Sequence, residues 1–154
     1  MSLVIVSNRV ARARPNEPMT GGLAAALLPV VEKSGAIWVG SSGKVQDGSQ
    51  KEPLAEIESL GTGALALLDL PAAHYEGYYE GFANSALWPA LHSRADLIRA
   101  SEEDYASYRE VNAFMARALL RFRKPDTMFW IQDYHFLALA AELGFTPLWL
   151  HYNS

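Results

Sequence analysis

Cysteine is absent from the 154-residue chain, which excludes disulfides and thiolate metal sites and makes the cytoplasm the simplest compartment. Blocks of basic charge are missing as well: 13 Lys and Arg face 17 Asp and Glu, for a formal net charge of −4. Duplex nucleic acid and anionic membranes are held mainly by clustered cations, so neither is expected as a partner. Small molecules are expected instead. Nor is there a long hydrophobic run. The N-terminal MSLVIVSNRVARAR has a short apolar stretch followed, not preceded, by positive charge, an order and length that fit neither a signal peptide nor a spanning helix. Two phosphate-binding signatures are also lacking, the Walker pattern GxxxxGK[ST] and the dinucleotide fingerprint GxGxxG. Internal repeats, low-complexity tracts and linkers are not found.

What is present is a chain half hydrophobic by composition, long enough for a single core spanning residues 1–154. Leu3 to Ser7 is a continuous apolar, β-branched run, the mark of a strand buried on both faces. Residues 10 to 20 form a long polar loop closing on Gly21-Gly22. A helix follows, with Leu23, Leu27, Val30 and Val31 as its apolar positions and Pro29 as a bend or early stop. Ile37 to Val39 reads as a short second strand, and SSGKVQDGSQ as a polar turn region. Ala64 to Leu70 is of strand length between Gly63 and Pro71. After Pro71 comes a helix carrying Tyr75, Tyr78, Tyr79 and Phe82, ended or interrupted at Trp88-Pro89. Ser101 followed by Glu102, Glu103 and Asp104 is a capped, negatively charged helix start. Tyr105, Tyr108, Val111, Met115, Leu119 and Phe122 form its apolar stripe. MFWIQ is a further strand, LALAAEL a short helix closed by Gly144, and PLWLH a last strand. Strands alternating with helices specify an α/β fold, a Rossmann-like and mostly parallel sheet with helices on both faces.

Ligands of such sheets bind beyond the carboxyl ends of the strands, where three polar segments fall: SNR at 7 to 9, QDYH at 132 to 135, and His151. Arg9 has a planar fork suited to phosphate, and Gly21-Gly22 lets backbone N–H groups approach an anion at a helix N-terminus. On motif alone, a solvated loop arginine beside two turn glycines is the simpler reading of these residues. Asp133 can accept hydrogen bonds from sugar hydroxyls or cap the following helix. His135 is either a site residue or a buried histidine bonded to backbone. Asp-x-His offers only two ligands, so no metal site is expected. Tyr78, Tyr79 and Trp88 could pack on sugar faces, although aromatics at helical spacing commonly form core.

Several segments in order resemble one family: LVIVSNRV at 3 to 10, TGGLAAAL at 20 to 27, YYEGFANSALWPALH at 78 to 92, YREVN at 108 to 112 and WIQDYHFLALAAEL at 130 to 143. They are similar to the N-terminal half of trehalose-6-phosphate synthase. The resemblance implies one half of a GT-B fold and a retaining transfer of glucose from UDP-glucose to glucose 6-phosphate, with no cofactor and no metal. It implies that Arg9, Tyr79 and Asp133 bind the acceptor, that Gly21 and Gly22 close over the donor, and that Trp88 sets anomer selectivity. His151 lines up with the histidine of a His-Ile-Pro-Phe-Pro motif that contacts the donor sugar, but here the residues are PLWLHYNS. The second, donor-binding domain of the family falls outside these 154 residues. The expectation is therefore a truncated enzyme inactive alone, with a sugar-phosphate-binding module as the alternative. Either a homo-oligomer or a separate partner domain is compatible with that.

Overall fold

The computed structural model describes residues 1–12, 22–48 and 53–144. Strand β1 (Ser2–Arg9) leads to helix α1 (Gly22–Ser34), then strands β2 (Ile37–Gln46), β3 (Glu56–Leu60) and β4 (Gly63–Pro71). A helical run over 72–91 follows: α2 (Ala72–Glu76), a wider π-wound segment (Gly77–Leu87) and α3 (Trp88–Leu91). A 3₁₀ turn (Ala95–Leu97), helix α4 (Glu102–Leu119) with a 3₁₀ end (Leu120–Phe122), strand β5 (Thr127–Ile131), a 3₁₀ turn (Tyr134–Phe136) and α5 (Leu139–Glu142) complete the described order.

The five strands form one sheet in the order β3-β4-β2-β1-β5. β1 is parallel to both β2 and β5, β2 is parallel to β4, and only β3 runs antiparallel, as a hairpin with β4. Side chains alternate across this sheet. Val4, Val6, Val39, Ala66, Leu68 and Leu70 face a core shared with α4, α5 and Tyr78. Ile5, Trp38, Leu65 and Leu67 face the opposite core, completed by Ala24, Leu27, Leu28 and Val31 of α1. Two covered faces explain why the strands read as unbroken apolar runs. The expected α/β architecture, mostly parallel with helices on both sides, is what is seen.

Several local expectations change. The buried face of α1 is Ala24, Leu27, Leu28 and Val31 rather than one through Leu23 and Val30, which are exposed, and the helix continues through Pro29. β2 does not stop at Val39. It extends through the polar residues 40–46, because a register shift between Ser41 and Val45 lets Val45 and Gln46 pair with Leu70 and Pro71. Strand β3 was not legible as a strand: EIESL is mostly exposed and is kept extended by its ladder to β4. Trp88-Pro89 does not end the helical run, since Trp88 opens its last turn and Pro89 sits where a missing N–H is tolerated. The expected helix LALAAEL is shorter, with α5 limited to Leu139–Glu142 and closed by Gly144 at φ 73°. The strand candidate PLWLH lies outside the described residues.

α4 matches the sequence most closely. The Ser101 side chain accepts the Asp104 amide at 3.0 Å, and three acidic residues occupy the first turn. Tyr108, Val111, Met115 and Leu119 are buried, whereas Tyr105 lies at the margin and is 45% exposed. The π-wound segment packs on this helix with little room: a Cβ on Gly81 would meet Asp104 Cγ at 2.5 Å. A side chain at 81 would therefore have to displace the Asp104 carboxylate.

Candidate functional site

Strand order fixes where a ligand can sit. From β1 the chain moves to β2 and β4 on one side, then returns to place β5 on the other side of β1. The reversal leaves a crevice between the carboxyl ends of β1 and β5, the topological switch point of a doubly wound sheet. Arg9 ends β1 and Asp133 follows β5 by two residues. A cation and an anion thus flank one crevice.

The β1 end is built from short polar contacts. Trp38 Nε1 donates to Ser7 Oγ at 2.8 Å, Ser7 Oγ donates to the Arg9 carbonyl at 2.9 Å, and Tyr78 Oη donates to Asn8 Oδ1 at 2.7 Å. The Arg9 guanidinium is exposed and passes over Gly43, where a Cβ would lie 2.6 Å from Nη2. Gly43 has φ +88° and sits in the β2 irregularity. Among the described residues no carboxylate is paired with Arg9. Its charge is felt at Tyr75: burial raises that phenol's pKa, Tyr79 adds to the rise, and Arg9 opposes it.

At the β5 end, Asp133 adopts φ 71°, a left-handed conformation uncommon outside glycine and found at constrained positions. One carboxylate oxygen accepts the Tyr134 amide at 2.7 Å, which is the capping reading of this residue. The other lies 3.5 Å from His135 Nδ1. Burial disfavours the Asp133 charge, but the His135 ring and the Tyr134 amide more than offset it, holding its pKa below the ordinary carboxylate value.

Between these ends stands a column of four rings. Tyr75 stacks on Tyr79 at 5.7 Å, Tyr79 on His135 at 5.5 Å, and His135 on Tyr134 at 4.3 Å. Tyr79 is half-buried and faces the column, while Tyr78, one residue earlier, is fully buried core. The column thus runs from Tyr75, which feels the Arg9 charge, through Tyr79 to the His135 ring beside Asp133. Such a site can hold a phosphate at the guanidinium and hydroxyl groups at the carboxylate, with phenols between.

The remaining expected residues divide. Trp88 is 41% exposed and stacks on His92 at 4.3 Å, one helical turn further along. Gly22 is the first residue of α1, with open space around its Cα. Gly21 and His151 lie outside the described residues. Sequence reasoning missed Tyr75, Gly43 and the support that Tyr108 and Asn112 give the Asp133 turn. The i,i+4 spacing of Tyr75 and Tyr79 was the available signal for the first. Among the described residues no group of three or more His, Asp or Glu is placed to hold a metal ion, and no helix is long and apolar enough to cross a membrane.

Fold and crevice together define a Rossmann-like α/β domain with a mixed-charge site at its switch point. The model of glycosyltransferase family 20 matches residues 4–144, and the chain belongs to that family. It is 43% identical over 143 residues to trehalose-6-phosphate synthase of Sinorhizobium fredii, covering 92% of this chain and 31% of the relative. The crystal structure of an α,α-trehalose-phosphate synthase (UDP-forming) from Burkholderia vietnamiensis superimposes with a TM-score of 0.81 at 38% identity, over 93% of this chain and 30% of that one. A Burkholderia xenovorans structure of the same description, in complex with glucose-6-phosphate, gives 0.78 at 38% identity, over 92% and 30%. The chain thus spans about three-tenths of the length of the relatives it matches.

Proposed function

We propose that residues 1–154 are the acceptor-side domain of a trehalose-6-phosphate synthase, which transfers glucose from UDP-glucose to glucose 6-phosphate. The observation that carries this reading is the placement of Arg9 at the carboxyl end of β1 and of Asp133 just past the neighbouring β5, with Tyr79 stacked on the His135 that lies beside Asp133. Arg9 takes the acceptor phosphate with its planar fork. The Tyr79 phenol adds a hydrogen bond, and Asp133 accepts from sugar hydroxyls. By the family resemblance, Gly21 and Gly22 are assigned to donor binding, Trp88 to the choice of anomer and His151 to the donor sugar. The chain's contribution to rate is placement and electrostatic stabilisation, with no covalent nucleophile. The xenovorans relative crystallised with glucose-6-phosphate supports the acceptor, the UDP-forming description of both relatives supports the donor class, and a cytoplasmic site of action fits these substrates.

Calorimetry with glucose 6-phosphate tests the reading. The chain should bind, and Arg9→Ala should weaken binding by at least about tenfold, the scale of a charge-assisted hydrogen-bond pair. No heat of binding, or equal affinity in Arg9→Ala, overturns it. Acceptor binding without transfer is the second reading, favoured by the presence of all three acceptor groups in a chain spanning 31% of its relative. UDP release by this chain with both substrates, at the rate of a complete synthase, would overturn the expectation that it is inactive alone.

A further inference from the structure

We infer that Tyr108 and Asn112, on the buried face of α4, are positioning residues that hold Asp133 in its left-handed conformation. The inference rests on the acceptor reading above. Tyr108 Oη donates to the Tyr134 carbonyl at 2.8 Å and accepts the Leu137 amide at 2.9 Å. Asn112 Nδ2 donates to the His135 carbonyl at 3.2 Å and to the Tyr108 carbonyl at 2.9 Å. Three backbone groups of the turn that follows β5 are thus fixed by two side chains one helical turn apart.

The chemistry at Asn112 argues that this is more than packing. Asn112 is fully buried among apolar neighbours, and its Oδ1 has no hydrogen-bond partner among the described residues. A leucine there would avoid the cost of a buried unsatisfied acceptor. What the amide supplies is a donor to the His135 carbonyl. With the carbonyls of 134 and 135 and the amide of 137 held, the backbone before them has little freedom to leave φ 71° at Asp133. The His135 ring is 6% exposed, its nitrogens have no hydrogen-bond partner among the described residues beyond the 3.5 Å approach of Asp133, and it stacks between Tyr79 and Tyr134. The α4 clamp therefore sets the height of both Asp133 and the aromatic column relative to Arg9.

The test compares four variants of the full chain by calorimetry with glucose 6-phosphate and by thermal unfolding. Tyr108→Phe keeps the ring and its stacking on Tyr78 at 6.0 Å. Asn112→Asp keeps the shape but turns an acceptor toward two carbonyls. Both should weaken binding by about tenfold, the scale of one or two lost hydrogen bonds. Met115→Ala, also on α4, should lower the unfolding temperature without altering affinity. Amide exchange at Leu137 should speed up in Tyr108→Phe and stay unchanged in Arg9→Ala. Full affinity in folded Tyr108→Phe and Asn112→Asp, with Arg9→Ala still impaired, overturns the positioning role and leaves the acceptor reading standing. Absence of binding by the unmodified chain overturns both.

Discussion

A single missing side chain shapes the cationic end of the site. Gly43 combines a positive φ with the passage of the Arg9 guanidinium over its Cα, so Gly43→Ala strains the backbone and also moves the guanidinium. An L-residue is strained at φ +88°, and the new Cβ makes the flexible Arg9 guanidinium shift aside. Gly43→Ala should cost about 1 kcal/mol or more in urea denaturation and weaken glucose 6-phosphate binding as Arg9 is displaced. Unchanged affinity would show that the fork has another way to reach the crevice. Asp133 offers a second residue-scale test. Its folded pKa lies below the ordinary value of 3.8 because contacts with His135 and the Tyr134 amide outweigh burial. A depressed carboxyl pKa contributes stability above the unfolded value, and that contribution is lost as pH falls through the folded one. An NMR titration of the Asp133 carboxyl carbon should therefore show a midpoint below 3.8. A midpoint at or above it would mean that desolvation wins.

At the scale of elements, α4 serves two purposes with different residues. Its N-terminus is stabilised locally: Ser101→Ala should lower stability by about 1 kcal/mol, the usual worth of a lost cap, and leave ligand affinity alone. Its buried stripe holds the core, so Met115→Ala should cost about 2–5 kcal/mol by cavity formation. Denaturant midpoints measure both. The helical run over 72–91 shows a division that periodicity did not capture. An α-helical wheel places Tyr75, Tyr78 and Tyr79 on one face, yet Tyr78 points into the core while Tyr75 and Tyr79 stack on the site side. The π-wound turns of Gly77–Leu87 separate them. β2 gives a similar lesson: polar residues after Gly40 resemble a turn, and only pairing with β4 makes them a strand.

For the molecule as a whole, the core shared by the sheet and α4 buries two phenols, Tyr78 and Tyr108, whose ionisation it opposes. Burial, with neighbouring tyrosines adding to it, pushes Tyr78 well above 10.0, and burial pushes Tyr108 up to about 12 despite its hydrogen bonds. A group whose folded pKa is raised contributes stability that is full below the unfolded value and lost as pH rises toward the folded one. Global stability should therefore decline between pH 10 and about 12. In an alkaline titration, tyrosinate absorbance from these two residues should appear together with loss of the circular dichroism of the fold. Complete phenol titration in a chain that remains folded would contradict this.

The sequence by itself determined the fold class, because unbroken apolar strands alternating with amphipathic helices have few solutions other than a parallel sheet covered on both faces. It also determined the start and cap of α4, though not its end, where the last turn over Leu120–Phe122 tightens to 3₁₀, and the identity of the family, since the segments around Arg9, Tyr79 and Asp133 are distinctive in order and composition. Tertiary structure alone decided that β5 lies beside β1, because strand order depends on crossovers that no local pattern records. That placement put Arg9 and Asp133 on one crevice. It also turned Asn112, a polar residue on an apolar stripe, into a donor for a backbone carbonyl more than twenty residues away, a role defined only by what α4 packs against.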